Sequence, residues 1–230
     1  MMRIAALVAV SLLVAGCSHT VGDHSQGAQT TTGSAESTPT TAVGPPGSKP
    51  PAPSTAPVAG APISAVIAWI EAGHRADPAR YHTVTRDGVA TPLANDTAFT
   101  AAAGDVVCMT DSEHTGSALA CLVHLANPPP RPQTAYEAWQ GGWVDYDGTN
   151  LRIGSARGDP GPFVKGNGPE LANGDSLSYA DYRCRADQAA VVCVNYAHQS
   201  AVRFATAGVD PFGCLRSVPP PEGVGKAFSC

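Results

Sequence analysis

Seven cysteines divide this 230-residue chain between two chemistries. Cys17 stands alone behind a short apolar run, while Cys108, Cys121, Cys184, Cys193, Cys214 and Cys230 all lie beyond residue 107. An even set of six in an exported chain is the expectation for disulfides, because such bonds persist in oxidising compartments. The stretches GDVVCMTDSEHTGSALACLV and DYRCRADQAAVVCVNY each set one cysteine on either arm of an apolar pattern with a polar centre, as a self-bridged hairpin would. That internal echo favours Cys108 with Cys121 and Cys184 with Cys193, which leaves Cys214 for Cys230. Six cysteines permit fifteen pairings, so spacing alone leaves the others open. The separations are too long for the short Cys-x-x-Cys pairs of structural zinc, and neither a metal nor a cofactor is expected.

Other reactive side chains are sparse. Asp111, Glu113 and His114 gather between the first two paired cysteines, where a base or ligand would be held still, but no nucleophile motif accompanies them. GSARGDPGPF lacks the Gly-x4-Gly-Lys-Ser/Thr order of a phosphate loop, and Ser155 has no Gly-x-Ser-x-Gly context. Asp145 and Asp147 share one strand face beside a turn without the offsets of a calcium loop, so they are read as solvated hairpin charges. Trp139, Trp143, Tyr146, Arg152 and Arg157 are the best candidates for a recognition surface, because aromatic and arginine side chains dominate binding hot spots. No catalytic residue is assigned.

The isolated sulfur has its own context. Arg3 precedes the run IAALVAVSLLVA, in which Ser11 is the one polar residue. This run falls short of the roughly 20 residues needed to cross a bilayer core, and it reads as an export signal over residues 1–16. Leu13-Val14-Ala15-Gly16-Cys17 resembles a bacterial lipobox, which implies cleavage before Cys17, a diacylglycerol thioether on its sulfur and an acylated amino group. Each buried methylene contributes about 0.8 kcal/mol, and two or more chains hold stably where one binds reversibly. The membrane is therefore an expected partner, reached through Cys17.

Residues 17–62 are mostly Ser, Thr, Pro, Gly and Ala, too poor in branched and aromatic side chains to offset the entropy of ordering. They are expected to form a disordered tether spanning about 35 to 40 Å. With 14 basic against 19 acidic residues, and Arg3 lost with the signal, the chain lacks the basic face that nucleic-acid binding requires.

Residues 63–230 suffice for one domain. ISAVIAWIEAG repeats Ile63, Val66, Ile67 and Ile70 at helical spacing, with Ser64 as a cap and Gly73 as a left-handed stop. Beyond it, Asp87-Gly88, Asp147-Gly148 and Asn173-Gly174 punctuate apolar stretches as tight hairpin turns do. Thr134-Ala135-Tyr136-Glu137 has the pattern of a capped helical turn. The expectation is a mainly β fold: a small disulfide-stapled antiparallel domain, sandwich or barrel-like, with one short N-terminal packing helix.

The stretches LVAGC, VIAWIEAG, TRDGVATPL, GSARGDPGPF, GNGPEL, YRCRADQA, VCVNYA, PFGC and FSC together resemble the envelope lipoproteins of mycobacteria. The resemblance implies a lipid-anchored protein on the outer face of the cytoplasmic membrane, extending into the envelope. It carries over no catalytic residue, and only the acylated Cys17 transfers. The leading expectation is a non-catalytic structural, sensing or ligand-binding module for an envelope ligand or protein. The alternative is a lipid or small-molecule carrier with an apolar cavity; an envelope hydrolase ranks last.

Overall fold

A computed structural model describes residues 54–230. The signal of residues 1–16, Cys17 and most of the tether lie outside the described residues. Helix α1 (Ile63–Glu71) leads into β1 (His74–Arg75), β2 (Thr83–Arg86), β3 (Val89–Pro92), β4 (Ala98–Ala101), β5 (Val106–Asp111), β6 (Gly116–Val123), β7 (Trp139–Tyr146) and β8 (Asn150–Ala156). After a short 3-10 turn at Gly161–Lys165 follow β9 (Asp175–Tyr179), β10 (Tyr182–Asp187), β11 (Ala190–Asn195), β12 (Ser200–Ala205), β13 (Gly208–Gly213), β14 (Arg216–Val218) and β15 (Val224–Ser229). One sheet runs β1-β9-β10-β11-β12-β13 and the other β14-β15-β8-β7-β6-β5-β4, with β2 and β3 as a separate hairpin. Pairing is antiparallel except where β1 lies parallel to β9.

Period-two alternation decides which face of each strand is hidden. Phe99, Leu119, Tyr146 and Leu151 from the seven-stranded sheet meet Leu177, Tyr182, Val191 and Phe204 from the six-stranded sheet in one core. Large side chains fill the space between the layers, so the architecture is a sandwich and not a hollow barrel. Each fully buried side chain of this size contributes about 1.5–3 kcal/mol. Tyr146 and Ser200 share a hydroxyl hydrogen bond of 2.7 Å across the layers, and Tyr182 donates to the Tyr146 carbonyl at 3.3 Å, so the polar ends of these rings are satisfied. Strand β11 is buried on both faces: Val191 and Cys193 point into the core, whereas Val192 and Val194 meet Val66, Trp69 and Ile70 of α1. A strand covered on both sides reads as an unbroken apolar run, which AVVCV is.

Cys108–Cys121 joins directly opposed residues of β5 and β6, and Cys184–Cys193 does the same for β10 and β11. All four sulfurs belong to the inter-sheet core. The third bond, Cys214–Cys230, ties the residue after β13 to the one after β15 at a half-exposed surface.

Four local expectations change. Helix α1 begins after Pro62 with no side-chain cap, so Ser64 does not serve, because the extended Pro62 already sets the chain direction. The helix ends at Glu71, and Gly73 is required by close packing, not by a left-handed turn: a Cβ there would lie 3.0 Å from Arg185 Cδ, the Gly174 carbonyl and Ser176 Cβ. Asn173-Gly174 leads into β9 without joining a hairpin, since β9 pairs with β1 and β10 and the Gly174 amide donates to Ala186. Thr134 starts no helical turn, because its hydroxyl accepts from the Gly223 amide at 3.2 Å. The other two Gly turns join hairpins, β2 to β3 and β7 to β8. Upstream of α1, Ala56 and Ala61 pack against the helix cluster.

The difference in sulfur burial sets an order of reduction. Under native conditions with dithiothreitol followed by alkylation, peptide mapping finds Cys214 and Cys230 labelled before the four core cysteines, which are 0% exposed. Simultaneous labelling of all six refutes the packed arrangement.

Candidate functional site

On β7, Val144 and Tyr146 point into the core, so Trp143 and Asp145 point the other way, onto the outer face of the seven-stranded sheet. Ala118 and Ala120 of β6 and Arg152 of β8 lie on the same face. The chain then folds back over it. Gly161 sits at φ +56°, where a Cβ would meet the Trp143 ring at 2.7 Å, so this glycine lets the backbone settle onto the indole. Phe163 packs edge-on against Trp143 with ring centroids 5.0 Å apart, and the Arg157 guanidinium lies 3.8 Å above the indole centroid. A stacked guanidinium of this kind is held in place by cation–π attraction.

This return leaves a groove of two adjoining recesses, about 340 and 440 Å³, which share Thr115, Ala120, Asp145 and Arg157. Both volumes fall in the range of small-molecule sites. Trp143 Nε1 donates to Asp145 Oδ1 at 2.8 Å. The other carboxylate oxygen lies 3.9 Å from Arg157 Nη1, too far for a hydrogen bond. Burial raises the Asp145 carboxyl above its ordinary range, against the lowering effects of the Trp143 hydrogen bond and of Arg157 and Arg152.

At the far end of the groove, Asp111 sits where the β5–β6 register shifts. Its Oδ2 meets His114 Nδ1 at 2.9 Å, and this hydrogen bond, with the carboxylate charge, raises the imidazole pKa. Asp111 Oδ1 and Arg157 Nε are both buried without a protein partner. Both are costly to leave unpaired, and water or a ligand would complete them; Trp69 Nε1 and Arg185 Nε, the other stacked pair, are orphaned in the same way outside the groove.

The sequence-derived surface is thus partly assembled. Trp143, Arg152 and Arg157 meet here, and the Asp111, Glu113 and His114 cluster joins them. Tyr146 turns into the core, where its hydroxyl is engaged by Ser200 and burial pushes its pKa well up. Trp139 lies apart: its indole covers Gly154 and Gly225 and donates to the Pro129 carbonyl at 3.3 Å. Asp145 and Asp147, expected to behave alike, do not. Asp147 organises its turn, accepting from Thr149 and Asn150; burial pushes its carboxyl up, but these hydrogen bonds outweigh burial and leave it below the ordinary value. Asp145 is the residue that sequence reasoning took for a solvated hairpin charge, and the signal against that was the Trp-x-Asp alternation beside inward-facing Val144 and Tyr146. Among the described residues no group of three or more His, Cys, Asp or Glu is placed to hold a metal ion, and no helix is long and apolar enough to cross a membrane.

A carboxyl whose folded pKa is raised binds its proton more readily folded than unfolded. The stability it contributes is present below the unfolded value, about 4, and lost as pH rises through the raised folded value. Asp145→Asn keeps an oxygen for the Trp143 indole and removes the buried charge. Thermal unfolding should therefore show a higher Tm for Asp145→Asn at neutral pH, with the gain fading towards about pH 4. An equal or lower Tm at neutral pH contradicts the assignment.

Comparison of the chain with family models, with curated proteins and with solved structures finds no match, so the groove's own chemistry is the guide to its use.

Proposed function

We propose that this chain is a lipid-anchored, non-catalytic binding module of the cell envelope, held at the outer face of the cytoplasmic membrane through Cys17, with the groove over Trp143 as its ligand site. The observation that carries the binding role is Asp145: a carboxylate kept half-buried on an outer face at a cost in stability, beside a pre-stacked Arg157. Sites that bind ligands commonly hold such unfavourable groups, because what destabilises the free fold is relieved by the ligand. The compartment is supported by the three disulfides, which need an oxidising environment, and by the lipobox-like LVAGC.

The carrier alternative needs an apolar cavity between the sheets, and Phe99, Tyr146, Tyr182 and Phe204 occupy that space. The hydrolase alternative has an oriented base in the Asp111–His114 pair, but the adjacent Thr115 hydroxyl is engaged, donating to the Asp111 carbonyl at 3.0 Å. Neither reading accounts for Asp145 and Arg157 as well as a binding site does.

Two measurements test the proposal. Mass spectrometry of the amino-terminal peptide from cells finds an acylated Cys17, and Cys17→Ala shifts the protein from the membrane fraction to the soluble one; an unmodified terminus defeats the anchor. Adding a water-soluble extract of the envelope moves the NMR signal of the Trp143 indole N–H, and Arg157→Gln abolishes the movement. An indole signal indifferent to the extract defeats the binding role.

A further inference from the structure

We infer that the groove takes a neutral, polyhydroxylated ligand, a segment of a glycan, whose hydroxyl groups bridge Asp145 and Arg157; this rests on the binding role proposed above. The 3.9 Å gap between Asp145 Oδ2 and Arg157 Nη1 leaves an acceptor and a donor side by side. A hydroxyl both donates and accepts, so a single one satisfies the two together. An isolated phosphate or carboxylate satisfies Arg157 and meets repulsion from Asp145; an ammonium does the reverse.

Longer-range charge argues the same way. Five carboxylates line the two recesses against three permanent cations, Arg152, Arg157 and Lys165. That balance repels polyanions, while Arg157 between the recesses disfavours a polycation. The orphaned atoms repeat the pattern on a larger scale. Asp111 Oδ1 requires a donor and Arg157 Nε an acceptor, and a chain of hydroxyls supplies both.

Shape adds a third argument. The two recesses adjoin through Thr115, Ala120, Asp145 and Arg157, so together they have room for a ligand of more than one unit. Ala118, Ala120, Pro162 and Val164 add apolar lining for the C–H faces of sugar rings. Trp143 is 2% exposed and is not a stacking platform; its part is to fix Arg157 and Asp145 before the ligand arrives, which lowers the ordering cost of binding.

The test uses the full chain purified in detergent, screened against an array of immobilised neutral hexose and pentose glycans, with heparin as the anionic probe and immobilised spermine as the cationic one. The expected result is binding to at least one neutral glycan that changes little with salt. Asp145→Asn and Arg157→Gln each weaken it by about tenfold or more, while Arg80→Gln, on the 3-10 turn before β2, leaves it unchanged. Asp145→Asn is the decisive variant, because it is expected to fold at least as stably as the parent. Asp145-dependent binding of heparin or spermine, with no neutral glycan bound, overturns this inference and leaves the binding groove standing. Binding to none of the probes, or binding indifferent to both substitutions, overturns the two together.

Discussion

Each of the two large sheets must hide one face from water, and everything else in the described domain follows from how that is done. The apolar faces are pressed together over Phe99, Leu119, Tyr146, Tyr182 and Phe204. The core cysteines sit at directly opposed positions on neighbouring strands, where antiparallel backbones approach closely, with Cα separations of 4.1 and 3.9 Å. Their bridges therefore lock strand register at the middle of the six-stranded sheet and, in the seven-stranded sheet, between β6 and β5 beside the edge strand β4. A slip of one residue would turn every inward side chain outward, and a bond across the pair forbids it. In the chain-entropy picture each short closed loop adds on the order of 3 kcal/mol. For a chain whose aromatic content is only 6%, that reinforcement adds to what bulk in the core supplies.

The outer faces are treated differently. Helix α1 covers the six-stranded sheet, and the hairpin of β2 and β3 covers part of the seven-stranded one through Val84, Leu93, Ala98 and Met109. The rest of that second face carries charge. Asp145, Arg157, Asp111 and Arg152 could have been small or apolar side chains without harm to the inner core, since none belongs to it. The inner core does not require them, and the binding role proposed above would account for them. Their placement depends on backbone features, chiefly the register shift at Asp111 and the glycine at position 161 that brings the return segment onto Trp143. The edge strand β13, by contrast, carries Pro211, which cannot donate to an added strand and so discourages pairing with another chain.

Much of the fold was legible because it is written in local patterns. Alternation, the Asp-Gly turns and the spacing of six cysteines announce antiparallel hairpins, and the apolar repeat from Ile63 to Ile70 announces the helix. The rest depended on partners distant in sequence. Nothing near Gly73 reveals that Arg185 and Ser176 crowd it, and nothing near Thr134 reveals Gly223. The site was legible in composition more than in geometry. Trp143, Arg152 and Arg157 stood out as residue types, but Tyr146 has the same type and faces inward, because parity along β7 assigns alternate residues to opposite faces. Asp145 was read as a solvated hairpin charge because the environment that half-buries it comes from a loop that crosses the strand twelve residues later.

Residues 54–62 reach the domain beside α1, where Ala56 and Ala61 pack, on the side of the six-stranded sheet that faces away from the core. The groove opens on the opposite side, beyond the seven-stranded sheet. The described chain accordingly enters the domain on one side and opens its groove on the other. Under the proposed anchorage through Cys17, attachment and the proposed binding surface would fall on opposite sides of the domain, and the direction of entry would set which way the groove looks.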